Sequence, residues 1–264
     1  MKRFYFVVLV IASSFLIQCG TVEDENPSTV PAVPAISYTV VGSFPHDTSH
    51  FTEGLEFYKG KLIESTGLEG KSKLVQYELT TGAVEKEVKL DAKYFGEGLT
   101  VFRDTVYQLT YREGVIHLYD VNTFKKIKEL PYTNGEGWGL TNDSTYLIGN
   151  NNGNVLFYYE PGTFKQVKTL SVTENDLPAV NINELEYIKG FIYANQWQYP
   201  YILKIDPATG KVVAKMDLSG LIRQEKASNP TAEYLNGIAY NPQTNKVYVT
   251  GKNWSKIYEL QFAF

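Results

Sequence analysis

Cysteine occurs once in the 264 residues, at position 19. An internal disulfide is therefore excluded, and so is a Cys-clustered zinc or iron–sulfur site. Histidine occurs three times, as His46, His50 and His117, which is too few to predict a multi-histidine metal centre. Neither sign of charge dominates: 25 basic against 29 acidic residues leave a net charge of -4. That balance gives no electrostatic footprint for nucleic acid, which is not expected as a partner. The longest apolar run, 4–17, is broken by Ser13 and Ser14 and is too short to span a bilayer comfortably. What is abundant is aromatic: 20 Tyr and 14 Phe in a chain that is 43% apolar. Such a composition excludes a long disordered chain and supplies core for one large domain or two ordinary ones.

The amino terminus reads as an address. Lys2 and Arg3 precede the apolar run, and Leu16-Ile17-Gln18-Cys19-Gly20 follows it. This resembles a bacterial lipoprotein signal, in which the cysteine becomes the lipidated first residue, although Gln18 stands where a small residue is usual. An ordinary cleaved signal, with Cys19 discarded or free, is the alternative. Residues 20–35 carry an acidic stretch and then Pro27, Pro31 and Pro34, the composition of an extended tether. The organisation expected is a signal over 1–19, a tether over 20–35 and a folded body over 36–264. That body would lie outside the cytoplasm, facing the periplasm or the cell surface, and be held to the membrane by a lipid on Cys19.

The body repeats itself. An acidic residue, asparagine or glycine precedes an aliphatic residue that opens a strand at Leu55, Leu99, Leu140, Leu185 and Ile238. The steps between those positions are 44, 41, 45 and 53. Each opening is followed by a second apolar element, an alternating third that ends in a turn, and (in the first four units) a more charged fourth. Four short strands in some 45 residues, with no amphipathic helix between them, is the period of a propeller blade. The long last step holds an insertion over 218–232 with one short helix around 221–226. The final unit ends without a fourth strand, while 36–41 is a strand without a unit. The expected fold is all-β, a five-bladed β-propeller closed by its N-terminal strand on the outside of the last blade.

In such a ring the innermost strands and their entry loops converge on one face. The openings bring Phe51, Glu53, Glu97, Trp138, Asn183, Glu184 and Asn236 there, and the loops after the second elements add Tyr111, Trp197 and Lys252. Aromatic walls with a few carboxylates, amides and one ammonium suit a small-ligand pocket. Taken singly, each of these residues is as well explained by turn geometry or packing between blades. Other chemistries fail. Gly251-Lys252 has Lys246 where a phosphate loop needs glycine, Gly135, Gly137 and Gly139 precede no helix, and no Gly-x-Ser-x-Gly elbow occurs. Asn150-Asn151-Asn152-Gly153-Asn154 reads as a hairpin turn.

Eight segments in order resemble the plant and bacterial glutaminyl-peptide cyclotransferases. They are Phe51-Thr52-Glu53-Gly54-Leu55, Glu64-Ser65-Thr66-Gly67, Phe95-Gly96-Glu97-Gly98-Leu99-Thr100, Gly137-Trp138-Gly139-Leu140, Asn183-Glu184-Leu185, Ala194-Asn195-Gln196-Trp197, Leu235-Asn236-Gly237-Ile238 and Val249-Thr250-Gly251-Lys252. The resemblance implies a five-bladed propeller that converts N-terminal glutamine of peptides or proteins to pyroglutamate and releases ammonia. It implies no cofactor for catalysis and a structural calcium in the channel; a monomer is the expected state, though nothing in the sequence fixes it. It places the acid–base group on Glu97, with Asn183 and Lys252 as catalytic partners, and the substrate-binding walls on Phe51, Trp138 and Trp197. Two positions depart from the family pattern: Glu53 replaces a glutamine, and Tyr111 a tryptophan. Ionised, Glu53 would bind the substrate α-ammonium; close to Glu97, it would share a proton with it. A non-catalytic propeller that binds peptide N-termini is the competing class. A metal-dependent hydrolase on Glu53, Glu97 and Glu184 is a third.

Overall fold

In the computed structural model the described residues are Met1 and 32–264, of which 32–264 form one compact unit. The expected signal core, Cys19 and most of the tether lie outside the described residues. Strand β1 (Tyr38–Pro45) precedes five antiparallel sheets. The first is β2 (Thr52–Tyr58), β3 (Lys61–Thr66), β4 (Lys73–Tyr77) and β5 (Val84–Lys89). The second is β6 (Gly96–Phe102), β7 (Thr105–Thr110), β8 (Val115–Asp120) and β9 (Lys126–Pro131). The third is β10 (Leu140–Asn142), β11 (Leu147–Asn150), β12 (Val155–Tyr159) and β13 (Gln166–Ser171). A small hairpin, β14 (Thr173–Glu174) and β15 (Leu177–Pro178), follows it. The fourth sheet is β16 (Ile182–Ile188), β17 (Phe191–Gln196), β18 (Tyr201–Ile205) and β19 (Val212–Asp217). Helix α1 (Ser219–Ser228) leads to β20 (Leu235–Asn241), β21 (Lys246–Gly251) and β22 (Lys256–Phe262). Strand β1 pairs with β22 from Tyr38↔Phe262 to Pro45↔Lys256, so the fifth sheet joins the two ends of the body. That pairing covers the edge β22 would otherwise expose.

The innermost strands β2, β6, β10, β16 and β20 meet in a ring, with β20 returning to β2. They are almost wholly buried, whereas the outermost strands alternate or face solvent. The core is accordingly five layers between blades rather than one centre. Leu55, Leu62 and Val75 of the first blade pack on Ala239, Tyr248 and Ile257 of the fifth. Ile148 and Leu156 of the third pack on Leu185, Ala194 and Leu203 of the fourth. Period-two alternation supplies one apolar face to each neighbour, which is what sheet-on-sheet packing requires.

Glycine lets the inner strands approach. A Cβ on Gly139 would lie 2.1 Å from the carbonyl oxygen of Asn183, and one on Gly98 would lie 2.4 Å from that of Trp138. Any side chain at either position must push two blades apart at the level of the channel.

Two features differ from the sequence reading. The β14–β15 hairpin is too short to carry a periodic signal. Pro34 and Ala35, within the segment read as tether, pair with Lys215 on the outer strand of the fourth blade. A proline carbonyl can still accept at a sheet edge, which is what Pro34 does.

Candidate active site

Four of the five inner strands carry an irregularity at one register. The pairing shifts between Thr52 and Gly54, Gly96 and Leu99, Ile182 and Leu185, and Leu235 and Ile238. The residues caught in these bulges include Glu53, Glu97, Asn183 and Asn236. A bulge bends its strand and re-aims a side chain, and here it turns polar groups toward one end of the ring. In the third blade Trp138 takes that place ahead of the strand, its N–H donating to the Asn150 carbonyl.

Glu53, Glu97, Asn183 and Trp138 line a cavity of about 340 Å³ at that end. Eight of the ten side chains expected to converge line it: Glu97, Asn183, Lys252, Phe51, Glu53, Tyr111, Trp138 and Trp197; Glu184 instead accepts from backbone N–H groups deeper in the ring, and Asn236 donates to Glu53 from behind the lining. One wall is Phe51, Phe95 and Tyr111, with ring centroids 6.3 and 5.7 Å apart in turn. The facing wall is Trp138, Trp197 and Tyr234, spaced 5.5 and 6.0 Å edge to face.

The polar floor is an ion pair and a carboxyl. Lys252 Nζ donates to Glu53 Oε1 at 2.6 Å and lies 4.4 Å from the Phe51 ring centre. Asn236 Nδ2 donates to the other Glu53 oxygen at 3.3 Å and to the Thr52 carbonyl at 2.9 Å. Burial raises the Glu53 carboxyl above its ordinary range, and the Lys252 ammonium works against that rise. Burial pushes Glu97 well above the carboxylate range, and the neighbouring Glu53 adds to the shift. A hydrogen bond between the Glu97 and Glu53 carboxyls also works against the rise at Glu53.

Buried amides lock the bulges from behind. Asn150 Nδ2 donates to the carbonyls of Ile182 and Asn183 at 2.9 and 2.8 Å, while its Oδ1 accepts from Gly139 N–H at 2.6 Å. Asn195 Oδ1 accepts from Gly237 N–H at 2.9 Å. Asn150 is thus more than the start of a turn: it ties the third blade to the fourth where Asn183 enters the pocket.

A family model described as glutamine cyclotransferase matches residues 11–262. The chain belongs to the glutamine cyclotransferase family. It is 37% identical over 225 residues to a glutaminyl-peptide cyclotransferase of Arabidopsis thaliana, covering 84% of this chain and 70% of the relative. It is also similar to the glutaminyl cyclase of Myxococcus xanthus, at 35% identity with a TM-score of 0.81, over 88% of this chain and 98% of that one.

Within this cyclotransferase fold three cavity residues escaped sequence reasoning: Phe95, Glu233 and Tyr234. Phe95 had a signal, since it occupies in the second repeat the place of Phe51 in the first. Glu233 and Tyr234 end the insertion that α1 begins, and nothing local marks them. Deeper in the ring lie three more carboxyls. Glu184 accepts from Leu55 and Ile238 N–H, Glu56 from Val101 N–H, and Glu186 from Tyr240 N–H. Burial raises Glu56 to about 7 and pushes Glu184 and Glu186 well above the carboxylate range. Two of the three histidines, His46 and His50, also come together on Glu64, away from this cavity. The histidine count gave no hint of that.

Proposed function

We propose that the protein is a glutaminyl-peptide cyclotransferase, closing an N-terminal glutamine to pyroglutamate with release of ammonia. The observation that carries this reading is Glu97: a buried carboxyl of raised pKa, beside Glu53 and between two aromatic walls. In the proposed reaction the substrate α-nitrogen forms a bond to its own γ-carboxamide carbon. The bond from that carbon to the amide nitrogen breaks, and ammonia leaves. Glu97 takes a proton from the α-amine and returns one to the departing nitrogen. Asn183 and Lys252 donate to the carboxamide oxygen as it gains charge. Phe51, Trp138 and Trp197 hold the side chain folded for five-membered ring closure, an orientation effect.

Glu53 takes a different part from the one its sequence suggests. Both of its oxygens are engaged, one by Lys252 and one by Asn236. It therefore serves as the counter-ion that holds Lys252 over Phe51, rather than as a free acceptor for the α-ammonium. Glu233, at the rim, adds negative charge that suits a cationic peptide N-terminus. Tyr111 keeps the aromatic wall and packs beneath the Arg112 guanidinium at 4.5 Å.

Ammonia release from a Gln-initiated dipeptide by the full chain tests the reading. Turnover supports it; binding without turnover by folded protein would leave a peptide-binding propeller instead.

We assign the structural calcium that the family suggests to the level of Glu56, Glu184 and Glu186, the buried carboxyls deeper in the ring. They are buried carboxyl oxygens, a hard donor set whose repulsion a divalent cation would relieve. The ion would stabilise the ring, and a calcium-dependent rise in Tm that Glu56→Gln removes is its mark. Membrane anchoring through a lipid on Cys19, an extracytoplasmic site of action and a monomeric state complete the proposal. The anchor and the site of action rest on the N-terminal sequence.

A further inference from the structure

A second group of chemically capable side chains sits outside the aromatic pocket, where the ring closes. His46 follows β1, His50 lies in the loop to β2, and Glu64 is on β3. All three are buried, and one ligand atom from each lies within 4.8 Å of the other two. His46 Nδ1 donates to the Trp254 carbonyl at 2.8 Å, which leaves Nε2 facing both Glu64 oxygens at 3.2 Å. His50 Nδ1 lies 2.8 Å from Glu64 Oε2. The histidine rings meet edge to face, 5.5 Å apart.

We propose that His46, His50 and Glu64 form a site for a divalent transition-metal ion of the zinc type, which pins the closing strand to the first blade. This goes beyond the cyclotransferase reading and does not rest on it.

Three observations support a metal over an ion pair alone. The first is distance. Tetrahedral zinc with bonds of about 2.0 Å holds its ligand atoms about 3.3 Å apart. The 3.2 Å contacts from His46 match that spacing and exceed the 2.7–2.9 Å usual for a charge-assisted hydrogen bond, whereas the 2.8 Å contact from His50 has to lengthen by about half an ångström to admit the ion. The second is orientation. A metal-binding imidazole typically gives its other N–H to a carbonyl or carboxylate. His46 does so toward Trp254. The third is what remains unsatisfied. His50 Nε2 and the Tyr77 hydroxyl are buried and have no hydrogen-bond partner among the described residues. Tyr77 stands 6.5 Å from the His46 ring and 6.4 Å from the His50 ring. Beside these residues is a cavity of about 40 Å³, room for one water in the fourth position, where it would meet the hydroxyl. Two imidazoles and one carboxylate are the donor set of borderline metals; calcium and magnesium prefer oxygen alone.

Zinc titration of the chelator-stripped full chain, in competition with a chromophoric chelator, tests the site. One equivalent is expected to bind, with proton release. His50→Gln keeps the contacts of Glu64 with His46 and Thr52, so the fold should survive. It removes a ligand, so affinity should fall by at least the 10–100-fold typical of losing an outer-shell partner. At a hundredfold excess over Kd the wild-type Tm should rise by about 5–10 °C, and at the same zinc concentration that of His50→Gln should rise by about half as much or less. His117→Gln and Cys19→Ser should bind as wild type does. Absorption at the zinc edge should count two imidazoles on the wild-type protein. No saturable uptake, uptake unchanged in His50→Gln, or fewer than two imidazoles at the edge would each overturn the assignment.

Discussion

Glu97→Gln is expected to cut turnover of a Gln-initiated dipeptide by about 10²–10⁴-fold, the usual worth of a positioned general acid–base group. The substitution keeps the shape of the side chain and removes only its capacity to carry a proton. KM should therefore move little, because the aromatic walls that bind the substrate are untouched. The pH dependence separates this from a packing defect. Wild-type kcat/KM should rise as pH climbs through the raised pKa of Glu97, because only the carboxylate can accept the amine proton. In the variant that limb disappears, and the substrate amine alone remains, titrating near ~8. Stability moves the other way. A carboxyl whose folded pKa is raised contributes fully below its unfolded value, and that contribution is lost as pH rises through the folded value. Glu97→Gln should thus match the wild type in Tm near pH 4 and exceed it near pH 8. Activity within tenfold of wild type, or a lower Tm at pH 8, would remove Glu97 from the proposed chemistry.

The blade count, the positions of most strands and eight of the ten residues expected at the pocket were legible in the sequence for one reason. A propeller repeats its register, so the opening of each inner strand can be aligned with the next. Glu53, Glu97, Asn183 and Asn236 stand out because each bulges at the same step of its own repeat. What the repeat does not encode was not legible. Tyr234 and Glu233 return from an insertion in one blade only, and the β14–β15 hairpin belongs to no blade. The pairing of Glu53 with Lys252 joins residues 199 apart across the ring closure, and neither neighbourhood announces it. The same holds for His46, His50 and Glu64, where His50 and Glu64 are on consecutive elements but Trp254 orients His46 from the other end of the chain. Contacts across the seam between the first and fifth blades follow from the closure and not from any local pattern.

Lys252→Met is expected to damage both stability and turnover, and the pair with Glu53 says why. Both side chains are buried, at 5% and 2% residual exposure, so neither charge is compensated by water. Removing one partner of a buried ion pair costs about 3–5 kcal/mol, because the other charge is left uncompensated. For a domain of this size that corresponds to a fall in Tm of about 2–4 °C for each kcal/mol. Without the ammonium, the Glu53 pKa climbs further, since Lys252 is the principal group holding it down. The loss should accordingly be largest at alkaline pH and fade as pH falls through the raised pKa of Glu53, where the carboxyl takes up a proton. Turnover should fall by about 10²–10³-fold, the cost of losing one oxyanion donor. A second substitution divides the two effects. In Lys252→Met with Glu53→Gln no buried charge is left over, and Asn236 can still donate to the new amide oxygen. Most of the lost Tm should return at every pH, while turnover stays low because the donor is still missing. A double variant as unstable as the single one would mean that the two residues are not energetically coupled. One that regained full activity would mean that Lys252 serves only to neutralise Glu53, leaving Asn183 as the sole side-chain donor to the oxyanion.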